Sequence, residues 1–532
     1  MFVYRMSSCR FANGGYALMF LLAVGSLAHA QLTDQTQTPN TANAGIAKSV
    51  EEQVGTGRGD VMTVDSSAFI IARDPFRSIR RGRQIFQRKY TVAQGVGPRT
   101  NDGVGDIETE GSHGAGFADS CAACHGRPRG SAGFGGDVFT RPDSRDAPHL
   151  FGLGLQEMLA DEITRDLRVI RQQAIDLAVG SGVSVTRMLT SKGIHYGSIT
   201  AMPDGLVDTS AVAGVNADLR VRPFFAEGKT ISIREFLVGA FNAEMGLEAP
   251  DPDLLAAAGG ADVVTPSGMH LTGSTDAIEA PPVNSEMDDS DGDGVVNEIP
   301  VSIVDHMEFY LLNYFKAGTY QQTNDVILGR RAFHQIGCGH CHIPDLLIEH
   351  DRRVADVETA YNAAEPGFNH LFATATAFIS EVNDGSGHPT IKQPAGQSFL
   401  VRNFFADMKR HDLGPNFHEV NFDGTVTTRF MTEPLWGVGS TGPYGHDGRS
   451  INLTEVILRH GGEAQASRDV FTHLGEAKTN RLLAFLNSLV LFPPDDTSSN
   501  LNPGNPATPG FPQFGHGSIK LPAIFNNPSD LE

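Results

Sequence analysis

Cys121-Ala122-Ala123-Cys124-His125 and Cys338-Gly339-His340-Cys341-His342 are two copies of one pattern, C-x-x-C-H. One short turn that carries two thiols and the next residue's imidazole can meet a single flat macrocycle. The thiols form thioethers to its vinyl groups, and the imidazole binds its iron axially. Cysteine and histidine also build zinc sites and redox dithiols. Two complete copies favour two covalently bound haem c groups, with Cys121, Cys124, Cys338 and Cys341 as attachment thiols and His125 and His342 as iron ligands.

The remaining cysteine supports this division of labour. Of five cysteines, four are motif positions and the fifth, Cys9, falls in residues 1–30. That stretch has Arg5 and Arg10, an apolar run from Tyr16 to Leu27, and Ala28-His29-Ala30. It reads as a signal peptide cleaved before Gln31. The apolar run is short for a membrane span, and no later stretch is long and uncharged enough to be one. The expectation is a periplasmic or secreted protein with no membrane span, in keeping with haem attachment outside the cytoplasm. A formal charge of −21 makes nucleic acid a poor partner. It leaves a basic redox protein as a candidate electron donor, or simply a soluble acidic surface.

Along the chain, residues 31–70 read as a loose polar arm, and 494–532 as a Pro/Asn-rich tail. Apolar residues recur at helical spacing in 155–179, 232–247, 303–315 and 476–491, while strand signals are weak. Gly82-Arg-Gln-Ile-Phe86 and Gly329-Arg-Arg-Ala-Phe333 form an internal repeat ahead of the two motifs. In each, the glycine permits a close helix crossing and the phenylalanine covers a haem edge. For the second copy the expected crossing partner is the 476–491 helix. In the first copy a Gly-rich insertion, 91–117, separates the helix from its motif. The expected fold is mainly α: two c-type cytochrome domains with long loops and insertions, the N-terminal one over 71–320 and the C-terminal one over 321–493.

Further segments carry a family resemblance: Arg145-Asp-Ala-Pro-His-Leu-Phe-Gly-Leu-Gly-Leu155, Val221-Arg-Pro-Phe-Phe225, Gly239-Ala-Phe-Asn-Ala-Glu-Met-Gly246, Phe405-Ala-Asp-Met-Lys-Arg-His-Asp-Leu-Gly414, Glu433-Pro-Leu-Trp-Gly-Val-Gly439, Gly442-Pro-Tyr-Gly-His-Asp-Gly-Arg449 and His460-Gly-Gly-Glu-Ala464. In this order they resemble the bacterial di-haem oxidoreductases, relatives of the di-haem cytochrome c peroxidases and of the enzymes that mature the methylamine dehydrogenase cofactor. The resemblance implies one six-coordinate haem that exchanges electrons with a partner, and one with an open iron position for a small oxidant. In relatives the sixth ligand of the C-terminal haem follows the histidine of a Pro-Tyr-x-His-x-Gly segment by some fourteen positions, which here is His460. Met408 and Met431 are its rivals. No histidine or methionine stands between Gly126 and Arg145, so the N-terminal iron is the candidate open site. Acid–base candidates are Glu157 and Glu162, either of which can also be a solvated helix carboxylate, with His446 and Arg449 as alternatives. Several relatives place a tryptophan between the haems from the N-terminal side, but the single tryptophan here is Trp436.

Asp289-Ser-Asp291-Gly-Asp293-Gly-Val-Val-Asn297 matches the start of a calcium loop through Asp289, Asp291, Asp293 and Asn297. Pro300 stands where a bidentate glutamate is expected, so an acidic turn is the competing reading. Functionally, the leading expectation is a peroxidase-type oxidoreductase that passes electrons from the C-terminal to the N-terminal haem to reduce hydrogen peroxide. The alternatives are a haem-dependent oxygenase of the polyisoprene-cleaving type, or an electron-transfer cytochrome with both irons saturated.

Overall fold

The computed structural model describes residues 49–97, 118–126, 131–133, 137–138, 145–314, 318–319, 323–360, 370–421 and 423–490. The expected signal peptide, most of the Gly-rich insertion and the 494–532 tail lie outside them. The part of the expected arm that is described is ordered. Ser49 caps the helix Val50–Val54 with a reciprocal bond to Glu52, and Arg58 forms a two-pronged pair with buried Asp305.

The main helices begin where capping chemistry places them. Asp74 and Pro75 open Pro75–Gln87, Ser232 opens Ile233–Met245, and Thr323 opens Asn324–Gln335, each cap accepting a backbone N–H of the first turn. Gly246, in the left-handed region at φ 71°, closes the second of these. The longest helix, Leu153–Ser181, starts two residues before its apolar pattern and ends at left-handed Gly182. The helices Val301–Asn313 and Glu476–Asn487 stop short of the expected 315 and 491.

The mainly α expectation needs correction. Among the described residues helix accounts for 38% and strand for 15%, with several small sheets. Among the described residues these are antiparallel pairs and one three-stranded sheet. The clearest is the hairpin Val185–Ser191 with Ile194–Ala201, turned by Lys192-Gly193, both at positive φ. That two-residue turn matches the twist of its strands. Its strands escaped notice because polar Thr186, Arg187, Thr190 and Ser191 dilute the apolar alternation, and their burial comes from packing on the 153–181 helix.

The two-cytochrome-domain architecture is likewise not supported. One hydrophobic cluster joins Ile71, Phe86, Leu155, Phe241 and Tyr310 to Leu346, Val401, Phe404 and Trp436, across the anticipated division near residue 320. A smaller cluster gathers Val326, Phe333, Phe405, Leu453, Leu482 and Phe485 around the second motif. Beneath the large core, fully buried Arg234 ties Asp251 (2.7 Å), Asp305 (2.9 Å) and Glu308 (2.8 Å) together. Such a knot is costly to break from one side, because a lone buried charge is left behind.

Candidate functional site

The repeated glycines do the same physical work in both copies. A Cβ on Gly82 would lie 2.2 Å from the His306 carbonyl oxygen, and one on Gly329 would lie 1.9 Å from that of Arg481. Both contacts are with backbone, so the 75–87 helix crosses 301–313, and 324–335 crosses 476–487, at distances only glycine permits. The crossings set the aromatic partners. Phe86 stands 6.5 Å from the His125 ring, and Phe333 stands 6.0 Å from the His342 ring.

Both motifs open onto one cavity of about 870 Å³, lined by all four motif thiols, His125, His342 and His460. Ser120 caps the short helix Cys121–His125, and Gly337 at φ 94° turns the chain into the second motif. The His125 Nδ1 donates to the Pro148 carbonyl at 2.7 Å. His342 Nδ1 donates to Phe405 at 2.8 Å, and His460 Nδ1 to Val456 at 2.7 Å. A donated Nδ1–H leaves Nε2 as the lone-pair nitrogen, the arrangement that orients a metal-bound histidine. Burial pushes His125 and His342 down to about 4 and also lowers His460, so all three are neutral and able to ligate. His460 ends the helix Leu453–Arg459, and its ring is near enough to His342 to disfavour protonation there. Of its rivals, Met431 lines the cavity and Met408 is packed into the large core.

These features fit haem better than zinc or a redox dithiol. Those uses need thiolates, whereas burial pushes Cys121 and Cys338 up to about 12 and Cys124 up to about 11. Among the described residues, neither motif brings its two thiols and its histidine onto one metal-sized point. An apolar-rimmed cavity with spread attachment atoms suits a large flat group.

The acid–base candidates separate. His446 lines the cavity, stacked on Phe430 at 3.9 Å and 3.3 Å from buried Glu419. Arg449 has a side chain 49% exposed and lies outside the lining. Glu157 and Glu162 are neither solvated nor at the cavity. Glu157 accepts from the Ile233 N–H at 2.6 Å and pairs with Arg352, and burial pushes it up to about 7. Glu162 pairs with Lys192 at 2.6 Å and accepts from the Glu349 and His350 backbone. Both anchor other segments to the long helix.

The sequence assigns no role to His411, and in it His149 reads only as a packing or loop residue. His411 lines the cavity with both ring nitrogens engaged, by Asp407 at 2.9 Å and Glu463 at 2.7 Å. Against burial, Asp407 and the Cys341 sulfur lift it to about 10. His149 also lines the cavity, beside Phe151, and burial pushes it down to about 4. Only its place in Ala147-Pro148-His149 was legible. At the acidic loop, Asp289 accepts from the N–H groups of Gly292, Asp293 and Gly294. Glu248 and Glu298, neither part of the sequence reading, bring carboxylates to Asp289, Asp291 and Asp293.

Residues 351–489 match the family described as "Di-haem oxidoreductase, putative peroxidase". The match begins after both C-x-x-C-H motifs and contains His411, Trp436, His446 and His460, so it is independent of the motifs. No curated protein sequence matches the chain. A solved structure of hydrazine synthase from Kuenenia stuttgartiensis, pressurised with xenon, shares 13% identity at a TM-score of 0.31, covering 81% of this chain and 94% of that one. That likeness is too slight to bear on fold or function. Among the described residues no helix is long and apolar enough to cross a membrane.

Proposed function

Since the chain belongs, by its residues 351–489, to the di-haem oxidoreductase family, we propose that it is an exported c-type enzyme of the peroxidase kind. In this reading Cys121 and Cys124 hold one haem and Cys338 and Cys341 the other, with His125 and His342 as proximal ligands. His460 is the second ligand on the C-terminal side, and the His125 side stays open to hydrogen peroxide. When bound, the pair supplies one-electron chemistry and an iron position where a small oxidant is reduced. Electrons arrive from a small redox protein on the side of His342 and His460 and leave on the side of His125.

The observation that carries this reading is one arrangement that occurs three times. His125, His342 and His460 each donate Nδ1–H to a main-chain carbonyl at the wall of a single cavity. The protein's own residues do the rest. The carbonyls fix the ligand rings, and Phe224, Phe333 and Trp436 give the cavity an apolar wall. His446, held by Glu419 and Phe430, is the cavity-facing group placed to carry a proton. The test is turnover of hydrogen peroxide with a reduced donor by the doubly haem-loaded protein; intact loading without turnover sinks the peroxidase reading.

One observation favours the oxygenase alternative. Phe236 meets both Phe224 and Phe225, with ring centroids 6.0 and 5.3 Å apart, and all three line the cavity, an apolar approach suited to a hydrocarbon. For the acidic loop the reading includes a structural calcium ion held by Asp289, Asp291 and Asp293, with Glu248 and Glu298 in place of the glutamate missing at Pro300. Calcium should raise the unfolding temperature and a chelator should reverse it; an unchanged temperature removes calcium from the account.

A further inference from the structure

His411 belongs to a short antiparallel strand pair in which it stands opposite Phe430. It lines the shared cavity, and a nitrogen of its ring, the Cys341 sulfur and an Asp407 oxygen all lie within 4.8 Å of one another. Its Nε2 is 2.9 Å from Asp407 Oδ2, and its Nδ1 is 2.7 Å from Glu463 Oε2. An ionised carboxylate only accepts, so these two contacts require a proton on each ring nitrogen. The hydrogen bonding alone makes the ring an imidazolium. Both acids are also held from their far sides. Asp407 Oδ1 accepts from the Thr432 hydroxyl and the Lys409 N–H. Glu463 Oε1 accepts from the Asp412 N–H and faces Arg429 at 3.4 Å. Among the described residues, neither Cys121 nor Cys124 has an acid and a histidine gathered on it in this way.

A haem bonded to that sulfur takes up one negative charge on reduction, and a cation fixed beside it in a buried setting favours the reduced state. We propose that His411 sets the reduction potential of the haem at Cys338 and Cys341, raising it by holding a positive charge against the Cys341 sulfur. This rests on the reading that both motifs carry haem. His411 is a positioning residue: it acts through charge, and neither binds iron nor meets peroxide. Two imidazole ligands, His342 and His460, would leave this haem at a lower potential than a histidine and a methionine would. The imidazolium offsets that and eases entry of the electron that a small one-electron donor delivers. The reduction adds one electron to this haem and takes one from the donor, and no bond is made or broken. The first motif has no such charge at its thiols, so the two haems are tuned separately.

The experiment is a potentiometric titration of the holoprotein, with each haem followed by its own optical and paramagnetic signal. Haem content is measured on every variant. His411→Gln removes the charge and keeps a donor. It should lower the second haem's potential by about 59 mV, a tenfold change for one electron, and leave the first haem unmoved. His411→Lys restores a cation and should return most of that shift. Glu463→Gln removes a facing anion and should move the potential the other way. A second haem in His411→Gln within twofold of the parent in its redox equilibrium overturns the proposal. So does an equal fall at both haems, or a fall that His411→Lys does not reverse, since either makes His411 a packing residue. Should His411→Gln lose haem, Glu463→Gln decides, and an unmoved or lowered potential there overturns the proposal. Failure of the underlying reading shows separately, as fewer than two haems per parent chain.

Discussion

The surroundings of the two motifs are alike on one side and unlike on the other. On the proximal side each has a glycine-mediated helix crossing, a phenylalanine near the histidine ring, and an Nδ1–H given to a backbone carbonyl. Near His342, the helix end at residue 460 brings a second neutral imidazole to the cavity, locked by Val456. On the His125 side the cavity is lined by His149, whose Nδ1 is buried without a hydrogen-bond partner. The surrounding cores differ too. The first motif borders the large cluster reaching from Ile71 to Trp436, and the second sits on a small cluster of its own. A duplicated helix-crossing unit can thus serve two tasks when the residues arriving from elsewhere in the chain differ.

The comparison can be pressed hardest at the crossings. Gly82→Ala and Gly329→Ala each force a methyl into backbone, and each should cost about 3 kcal/mol of stability by overpacking. Denaturant unfolding measures this; a loss under about 0.5 kcal/mol at either would show that the crossing is not as tight as described. Next, His446→Gln should lower peroxide turnover about a hundredfold, as expected when a proton-carrying group is lost. Equal turnover would move the proton elsewhere, with haem content as the control for intact assembly.

A third comparison concerns charge near the second motif. His411 has its folded value raised to about 10 by Asp407. The native state therefore binds this proton more tightly than the unfolded chain between its ordinary value near 6.5 and about 10. Its stabilisation is complete below that window and is lost as pH rises through it. The loss should be on the order of 2 kcal/mol, the size of a buried charge-assisted bond. Part of the rise comes from the Cys341 sulfur, so a chain with that cysteine tied to haem should show a narrower window. Thermal unfolding across pH 6–10 checks this, and His411→Asn should flatten the profile; an unaltered slope contradicts it. Smallest of all, Arg449→Ala should change stability by less than about 0.5 kcal/mol and leave turnover unchanged, because its side chain is half exposed and away from the cavity.

Local chemistry explains what was legible in the chain. The two motifs, the caps at Asp74 and Ser232, the Gly329 crossing and the place of His460 at a helix end all follow from residues close in sequence. The short hairpins did not, since Lys192-Gly193 gives only a turn and the burial of its strands depends on a distant helix. Glu157 and Glu162 looked like surface carboxylates because nothing nearby in sequence announces Arg352 or Lys192. His411 sits four residues from Asp407, but its second partner, Glu463, is one that only the folded chain brings within reach.

The central claim is that the two sites differ in saturation, and electron paramagnetic resonance on the holoprotein, oxidised and then reduced by one electron, tests it most directly. The account predicts a high-spin ferric signal from the His125 side in at least one of these states. It also predicts a low-spin ferric signal from the His342 side that becomes high-spin in His460→Ala. Two low-spin centres in both states, unchanged by His460→Ala, would contradict it and leave a saturated electron carrier.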